Sequence, residues 1–406
     1  MAETCLVVGA GVAAFGFADA IREAGYRGRV VIVGAEELPP YDRPPLSKQF
    51  LLGKKEESEL LFRPRSFYAE RGIELVLGER VETVDLGKRT ARAASGKTYG
   101  FDHLVLATGA TPNQLVVPGA DLPGVQVLRS IADARMLRAA LRTAERVLVI
   151  GGGFIGCEVA ASARVLGKAV AIVEPLPVLL ARALGETIGR AITRVHERRG
   201  VELHLGRRVV AVEGQERVHR VVLDDGTVVD CDLVVVGIGV RPALPVIEGA
   251  LQLEDGVVVD ETCAASVPGV WAAGDVARWW HPTLQRSVRI EHYDNALAQG
   301  ATVARAVAGR PEVYAPVPSF WSDQYDLTIQ QYGYPVEWDE VVVRGDLEAA
   351  AFTAFYLVGG RVYGAVIVGR PREARPARRL VEALAQVDRA ALADPAVDLR
   401  TLVASL

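Results

Sequence analysis

Leu6-Val7-Val8-Gly9-Ala10-Gly11-Val12-Ala13-Ala14 near the start of the chain and Val147-Leu148-Val149-Ile150-Gly151-Gly152-Gly153-Phe154-Ile155-Gly156 in its middle are built on one plan. Each is an apolar strand running into a glycine-rich turn that opens an alanine-rich helix, reaching about Ala24 in the first and about Leu166 in the second. A second apolar strand and an acid follow: Val30-Val31-Ile32-Val33 and Glu36, with Glu37 as its alternative, then Val170-Ala171-Ile172-Val173 and Glu174. This is a βαβ unit carrying a dinucleotide fingerprint, present twice. Gly9 and Gly151 permit the tight turn, Gly11 and Gly153 let a pyrophosphate approach the backbone, and Ala14 and Gly156 let each helix pack closely. The phosphates then lie on free N–H groups at the helix N-terminus, with Phe154 and Ile155 opening the second helix, where the dipole favours an anion.

Glu174 follows its strand directly, where a carboxylate accepts hydrogen bonds from an adenosine ribose and repels a 2′-phosphate. The next residues, Pro175-Leu176-Pro177, bring no arginine before Arg182, so NADH is expected over NADPH.

The 406 residues allow two to four domains. With 46 basic against 50 acidic side chains, no global field exists to hold nucleic acid or an anionic membrane. The cysteines at 5, 157, 231 and 263 form no Cys-x-x-Cys pair and no metal-ligand spacing, so neither a metal site nor a disulfide framework is expected. No apolar run reaches the ~20 residues of a membrane span. Cys5-Leu6-Val7-Val8 has no basic leader and reads as a strand, not a signal peptide, which points to a cytoplasmic protein.

Two dinucleotide sites on one chain make sense as a hydride relay, with FAD in the first and NADH in the second. Two further strands end in glycine turns, Leu104-Val105-Leu106-Ala107-Thr108-Gly109 and Leu233-Val234-Val235-Val236-Gly237-Ile238-Gly239, and bracket the second fingerprint. Val270-Trp271-Ala272-Ala273-Gly274-Asp275 then places an acid where it reaches ribityl hydroxyls.

These features resemble the glutathione-reductase-type flavoproteins, and within them the single-component NADH-dependent ferredoxin reductases of bacterial oxygenase systems. The likeness extends over almost the whole chain: both fingerprints, Tyr41-Asp42-Arg43-Pro44-Pro45-Leu46-Ser47-Lys48, Ala107-Thr108-Gly109, Gly274-Asp275, Arg289-Ile290-Glu291 with Asn295-Ala296, and Phe320-Trp321-Ser322-Asp323-Gln324. The resemblance implies that Arg43, Lys48 and Arg129 contact FAD, with Asp275 on its ribityl chain, Asn295 and Ala296 nearby, and Trp321 beside the flavin ring. Gly239 and Glu291 join Glu174 on the NADH side. It also implies that Lys48 pairs with Glu158 near flavin N5, which makes Lys48, Glu158 and Trp321 the reacting-end residues. Only six of the 46 basic residues are lysine, so the one retained here is pointed. Asn113-Gln114 departs from the family, which often has an arginine there.

Relatives that reduce a disulfide or a single active cysteine carry it in loops that have no cysteine here. Electrons are therefore expected to leave the flavin outward, one at a time, to a [2Fe–2S] ferredoxin that feeds a haem-thiolate monooxygenase or a Rieske dioxygenase. A rubredoxin reductase and an NADH-sensing flavoprotein like apoptosis-inducing factor remain alternative readings. Arg370, Arg372, Arg375, Arg378 and Arg379 form a candidate docking cluster, with Arg63 and Arg65 as a lesser one, and Trp279-Trp280-His281 reads as an exposed aromatic group. The expected fold is α/β: an FAD-binding domain of residues 1–113 and 242–318, an NAD-binding domain inserted at 114–241, and a C-terminal α+β interface domain at 319–406. Strands near 328–332, 340–344, 351–357 and 361–368 and a helix around 376–385 are expected in the last.

Overall fold

The computed structural model describes residues 3–335 and 337–404, which divide into two compact units, one of 3–42, 57–111 and 240–318 and one of 43–56, 112–239, 319–335 and 337–404.

The first unit is built on a five-stranded parallel sheet with strands in the order Val270–Ala272, His103–Leu106, Thr4–Val8, Arg29–Gly34, Ile73–Leu77. Its central strands are continuous apolar runs and are buried along nearly their whole length, so both of their faces are covered. Helix Val12–Ala20 ends four residues sooner than the sequence pattern suggests, and the chain then runs on in turns to Gly25 at φ +96°. It packs against helix Tyr293–Val307 through two glycines: a Cβ on Gly16 would sit 2.1 Å from Leu297 O, and one on Gly300 would sit 2.0 Å from Ala13 O. The backbones of the two helices touch there, which only a residue without a Cβ allows. Trp279 and His281 point inward from strand Ala277–His281 and are buried, whereas Trp280 is exposed. The period-2 alternation of a strand thus corrects the expected exposed group to one residue.

The second unit holds another five-stranded parallel sheet, ordered Val201–Leu205, Ala169–Glu174, Arg146–Ile150, Leu233–Val236, Val125–Val127. Helix Phe154–Val165 crosses from its third strand to its second. Residues 319–368 form a five-stranded antiparallel sheet, Ser319–Gln324, Leu327–Gly333, Arg361–Val368, Ala351–Val358, Glu340–Asp346. The sequence pattern anticipates four of those strands and misses Ser319–Gln324, whose mixed aromatic and polar residues do not alternate cleanly. Helix Ala374–Glu382 lays Ala377, Leu380 and Val381 inward and leaves Arg375, Arg378 and Arg379 exposed. One apolar core joins this sheet to the parallel one, with Val149, Cys157 and Ile172 clustered with Phe352, Tyr356 and Val366. Among the described residues no helix is long and apolar enough to cross a membrane.

Candidate functional site

Each fingerprint has the local geometry that anion binding needs. In the first unit Gly9 adopts φ +110°, and a Cβ on it would lie 2.2 Å from Ala107 O. Gly11 caps helix Val12–Ala20 with no side chain closing the helix end, and the space where its Cβ would point is open for 4 Å. Ala14 is fully buried. In the second unit Gly151 at φ +106° would press a Cβ to 2.4 Å from Gly237 O, and Gly156 would press one to 2.0 Å from Gly151 O. Gly153 again caps its helix with no side-chain hydrogen bond and open space above. Both cradles fit a pyrophosphate.

Around the first cradle stand the other expected FAD residues of that unit. Thr108 follows strand His103–Leu106, and its Oγ1 is buried with no hydrogen-bond partner among the described residues, a polar atom left for a ligand. Gly274 at φ +78° donates its N–H to Gln299 Oε1 at 2.8 Å and lies against Ala13 and Ala296, which fixes the Asp275 turn beside the starts of both helices. Arg289 braces that turn, donating from Nη1 to Asp275 O at 3.2 Å and to Glu291 at 2.6 Å. Glu36 accepts from the Tyr41 hydroxyl at 2.6 Å. The Asn295 side chain is tied inside the protein: its amide donates to Ile290 O at 3.1 Å and its Oδ1 accepts from Tyr314 at 3.0 Å.

Glu174 is placed differently from the simple sequence picture. Its Oε2 accepts from Gly152 N at 2.6 Å and its Oε1 from Leu176 N at 2.9 Å, and the residue is buried. The carboxylate therefore braces the glycine turn itself, and two of its roughly four lone-pair positions remain for a ribose. Asn113 acts on the other turn, after strand Leu233–Val236: its Nδ2 donates to Ile238 O at 3.3 Å and its N–H to Gly239 O at 3.0 Å, with Gly239 at φ +90°. Phe154 stands edge-on to Phe320 at 4.5 Å between ring centres, while Ile155 is exposed.

The second unit also brings Arg43, Lys48, Arg129, Glu158 and Trp321 into one structure. Pro44 and Pro45 hold a short 3₁₀ turn, Pro44–Ser47, and Lys48 caps its end. Arg43 just before it donates to Arg129 O at 2.7 Å, and Arg129 N is itself tied to Asp133. Glu158 and Ser162, one turn apart on helix Phe154–Val165, grip the other end: Ser162 Oγ donates to Ser47 O at 2.7 Å, and Lys48 Nζ reaches Glu158 Oε1 at 3.3 Å. Lys48 and Glu158 are 6% and 4% exposed. Lys48 Nζ also lies 3.4 Å from Asp323 Oδ2 and 5.7 Å from the centre of the Trp321 ring, which is itself 37% exposed.

Burial pushes the Glu158 carboxyl above the usual carboxylate range, and Lys48 together with the Ser47 and Ser322 hydroxyls pulls it back. Ser47 Oγ donates to Oε2 and Ser322 Oγ to Oε1 at 2.7 Å. The sequence reading quotes Ser47, Ser322, Asp323 and Gln324 within its motifs without assigning them roles. Ser322 and Gln324 share one face of strand Ser319–Gln324 and are both buried, which only the fold shows. All four cysteines are buried free thiols, and burial raises the pKa of each, that of Cys231 to about 12. Among the described residues no cluster of His, Cys, Asp or Glu has a metal-binding arrangement.

Residues 3–300 match the family model for the pyridine nucleotide-disulphide oxidoreductases, and residues 319–403 match the C-terminal domain of reductases. The chain is 39% identical to the anthranilate 1,2-dioxygenase system ferredoxin–NAD(+) reductase component of Burkholderia cepacia, over 99% of this chain and all of the relative. It superposes at a TM-score of 0.94 on the ferredoxin reductase for the CYP199A2 system from Rhodopseudomonas palustris, with 36% identity, 99% of this chain and 100% of that one covered. The reductase in a covalent putidaredoxin reductase–putidaredoxin complex superposes equally well, at 0.94 and 32% identity, with 99% and 98% covered.

Proposed function

The chain belongs to the pyridine nucleotide-disulphide oxidoreductases, and from that membership we propose that it is an FAD-dependent NADH:ferredoxin oxidoreductase serving a terminal oxygenase. The observation that carries this reading is the pairing of two pyrophosphate cradles with a buried Lys48–Glu158 pair and no accessible thiol. FAD, when bound, supplies the acceptance of a hydride and the release of single electrons. The overall balance is one NADH and two oxidised ferredoxins giving NAD⁺, one proton and two reduced ferredoxins.

The protein's own groups position and polarise. Gly11 and Gly153 with their helix ends bind the two pyrophosphates, Thr108 and Asp275 hold the FAD side, and Glu174 with Gly239 and Glu291 the NADH side. Lys48, paired with Glu158, presents a cation at the reacting end, and Trp321 covers it. No side chain need act as acid or base, since hydride transfer depends on holding donor against acceptor. The domain division that goes with this reading is 1–113 and 242–318 for FAD, 114–241 for NAD and 319–406 for the interface. Arg370, Arg372, Arg375, Arg378 and Arg379 are the proposed ferredoxin dock, in a cytoplasmic protein.

Anaerobic stopped flow tests the reading. NADH should bleach the ~450 nm flavin band faster than NADPH does, and a [2Fe–2S] ferredoxin should restore it rapidly. Turnover with a rubredoxin alone, or a long-lived reduced complex that passes electrons to neither, would replace it.

A further inference from the structure

Beyond Glu158 a line of buried side chains continues inside the second unit. Ser322 Oγ accepts from Gln324 Nε2 at 3.1 Å, Gln324 Oε1 meets His196 Nε2 at 2.9 Å, and His196 Nδ1 meets the Tyr325 hydroxyl at 3.0 Å. Gln324 is 2% exposed and His196 fully buried. The sequence motif that contains Gln324 gives it no role, and His196 lies in no motif.

The direction of every proton along this line follows from one charge. An ionised Glu158 can only accept, so Ser322 gives it its single proton. The Ser322 oxygen must then accept from Gln324, which turns the amide nitrogen toward Ser322 and the amide oxygen toward His196. His196 must therefore carry its proton on Nε2 and accept from Tyr325 on Nδ1. Burial lowers the His196 pKa to about 4, which keeps the ring neutral with one donor and one acceptor. Burial also raises the Tyr325 pKa, so the phenol keeps its proton to give.

We propose that Gln324 and His196 are positioning residues that force Ser322 to donate to Glu158, and so hold that carboxylate ionised beside Lys48 against its burial. This rests on the reading of Lys48 and Glu158 as the reacting-end pair. The other groups facing the line are Lys48, Ser47 and Asp323 at the Glu158 end, the neutral Cys157 thiol beside Glu158 on the same helix, and Arg164 and Arg199 at the Tyr325 end.

Two measurements test it. In protein labelled with ¹⁵N-histidine, with or without FAD, long-range ¹H–¹⁵N spectra should show His196 as the neutral Nε2–H tautomer from pH 6 to 9. The Nδ1–H tautomer, or a charged ring at pH 7, overturns the proposal. In the holoenzyme, the acid limb of flavin reduction by NADH should move up by about 1–2 pH units in Gln324→Leu and His196→Leu, the size expected for one lost hydrogen bond to a charged group. His196→Gln, whose amide N–H replaces Nε2–H, should restore the original limb. Unshifted limbs in the leucine variants, with the limb abolished in Glu158→Gln, overturn the proposal and leave the Lys48–Glu158 reading standing. An unchanged profile in Glu158→Gln overturns both.

Discussion

Lys48 and Glu158 are 110 residues apart in sequence and 3.3 Å apart in space, both nearly closed off from solvent. A buried cation needs a buried anion, because water no longer screens either, and removing one partner leaves the other uncompensated. Glu158→Ala should therefore destabilise the protein by about 3–5 kcal/mol, less what Asp323 recovers by taking over Lys48. Flavin reduction by NADH should slow at least tenfold. Thermal melts and stopped flow on the same preparation check both effects.

The two glycines of the second fingerprint should answer to substitution in opposite ways. Gly153→Ala meets open space and should melt like the unsubstituted protein, with its flavin content intact. Its methyl group would stand where a pyrophosphate approaches, so the KM for NADH should rise by about tenfold or more, which corresponds to one lost contact. Gly151→Ala, held at φ +106° and 2.4 Å from Gly237 O, should lower stability first. Melting temperature and KM measured side by side separate the two.

Acid should destabilise the fold through two histidines. Burial lowers the pKa of His196 and that of His292 to about 4, from an ordinary 6.5. Between those values the unfolded chain binds protons that the native state refuses, so stability is full above pH 6.5 and falls as the pH drops to about 4. Each ring accounts for up to about 3 kcal/mol of that loss. Urea midpoints at pH 7 and 4.5 should show the fall, and His196→Gln should reduce it by one histidine's share.

The arginine cluster is less charged than its sequence suggests. Arg370 pairs with Glu373 at 2.6 Å, and Arg378 and Arg379 share Glu382 at 2.8 and 3.4 Å. Arg372 and Arg375 are exposed. Replacing Arg372, Arg375 and Arg379 by glutamine should lower kcat/KM for a [2Fe–2S] ferredoxin by about tenfold at low salt and flatten its salt dependence. Flavin reduction by NADH should not change. Steady-state assays across ionic strength, with stopped flow as control, check this.

The thiols should be silent. With all four cysteines buried, a thiol reagent such as dithiobis(nitrobenzoate) should label almost nothing in the native protein and four groups after denaturation. Rapid native labelling of even one would reopen a thiol route for the electrons.

The local parts of this protein were legible in the chain itself. Gly9, Gly11, Gly151 and Gly153 sit in a pattern only a strand, a tight turn and a helix can use, and strand and helix periods placed the flanking elements within a few residues. The backbone conformations involved depend on near neighbours, so sequence spacing captures them. The Lys48–Glu158 pair was expected from family resemblance, with no spacing to suggest it. What surrounds it was decided by packing: helix Phe154–Val165 lies against strand Ser319–Gln324 and the Pro44–Ser47 turn, bringing Ser47, Ser322, Asp323 and, through Gln324, His196 to one carboxylate. Those residues come from three distant stretches of chain, and a lone serine, glutamine or histidine has no local signature of being buried. Glu174 makes the same point in reverse. Its place after the strand was readable, but its hold on Gly152 and Leu176 depends on how the turn closes around it. Hydrogen-bond geometry at a buried site is a property of the assembled fold, because only there does losing water leave each polar atom with one partner to find.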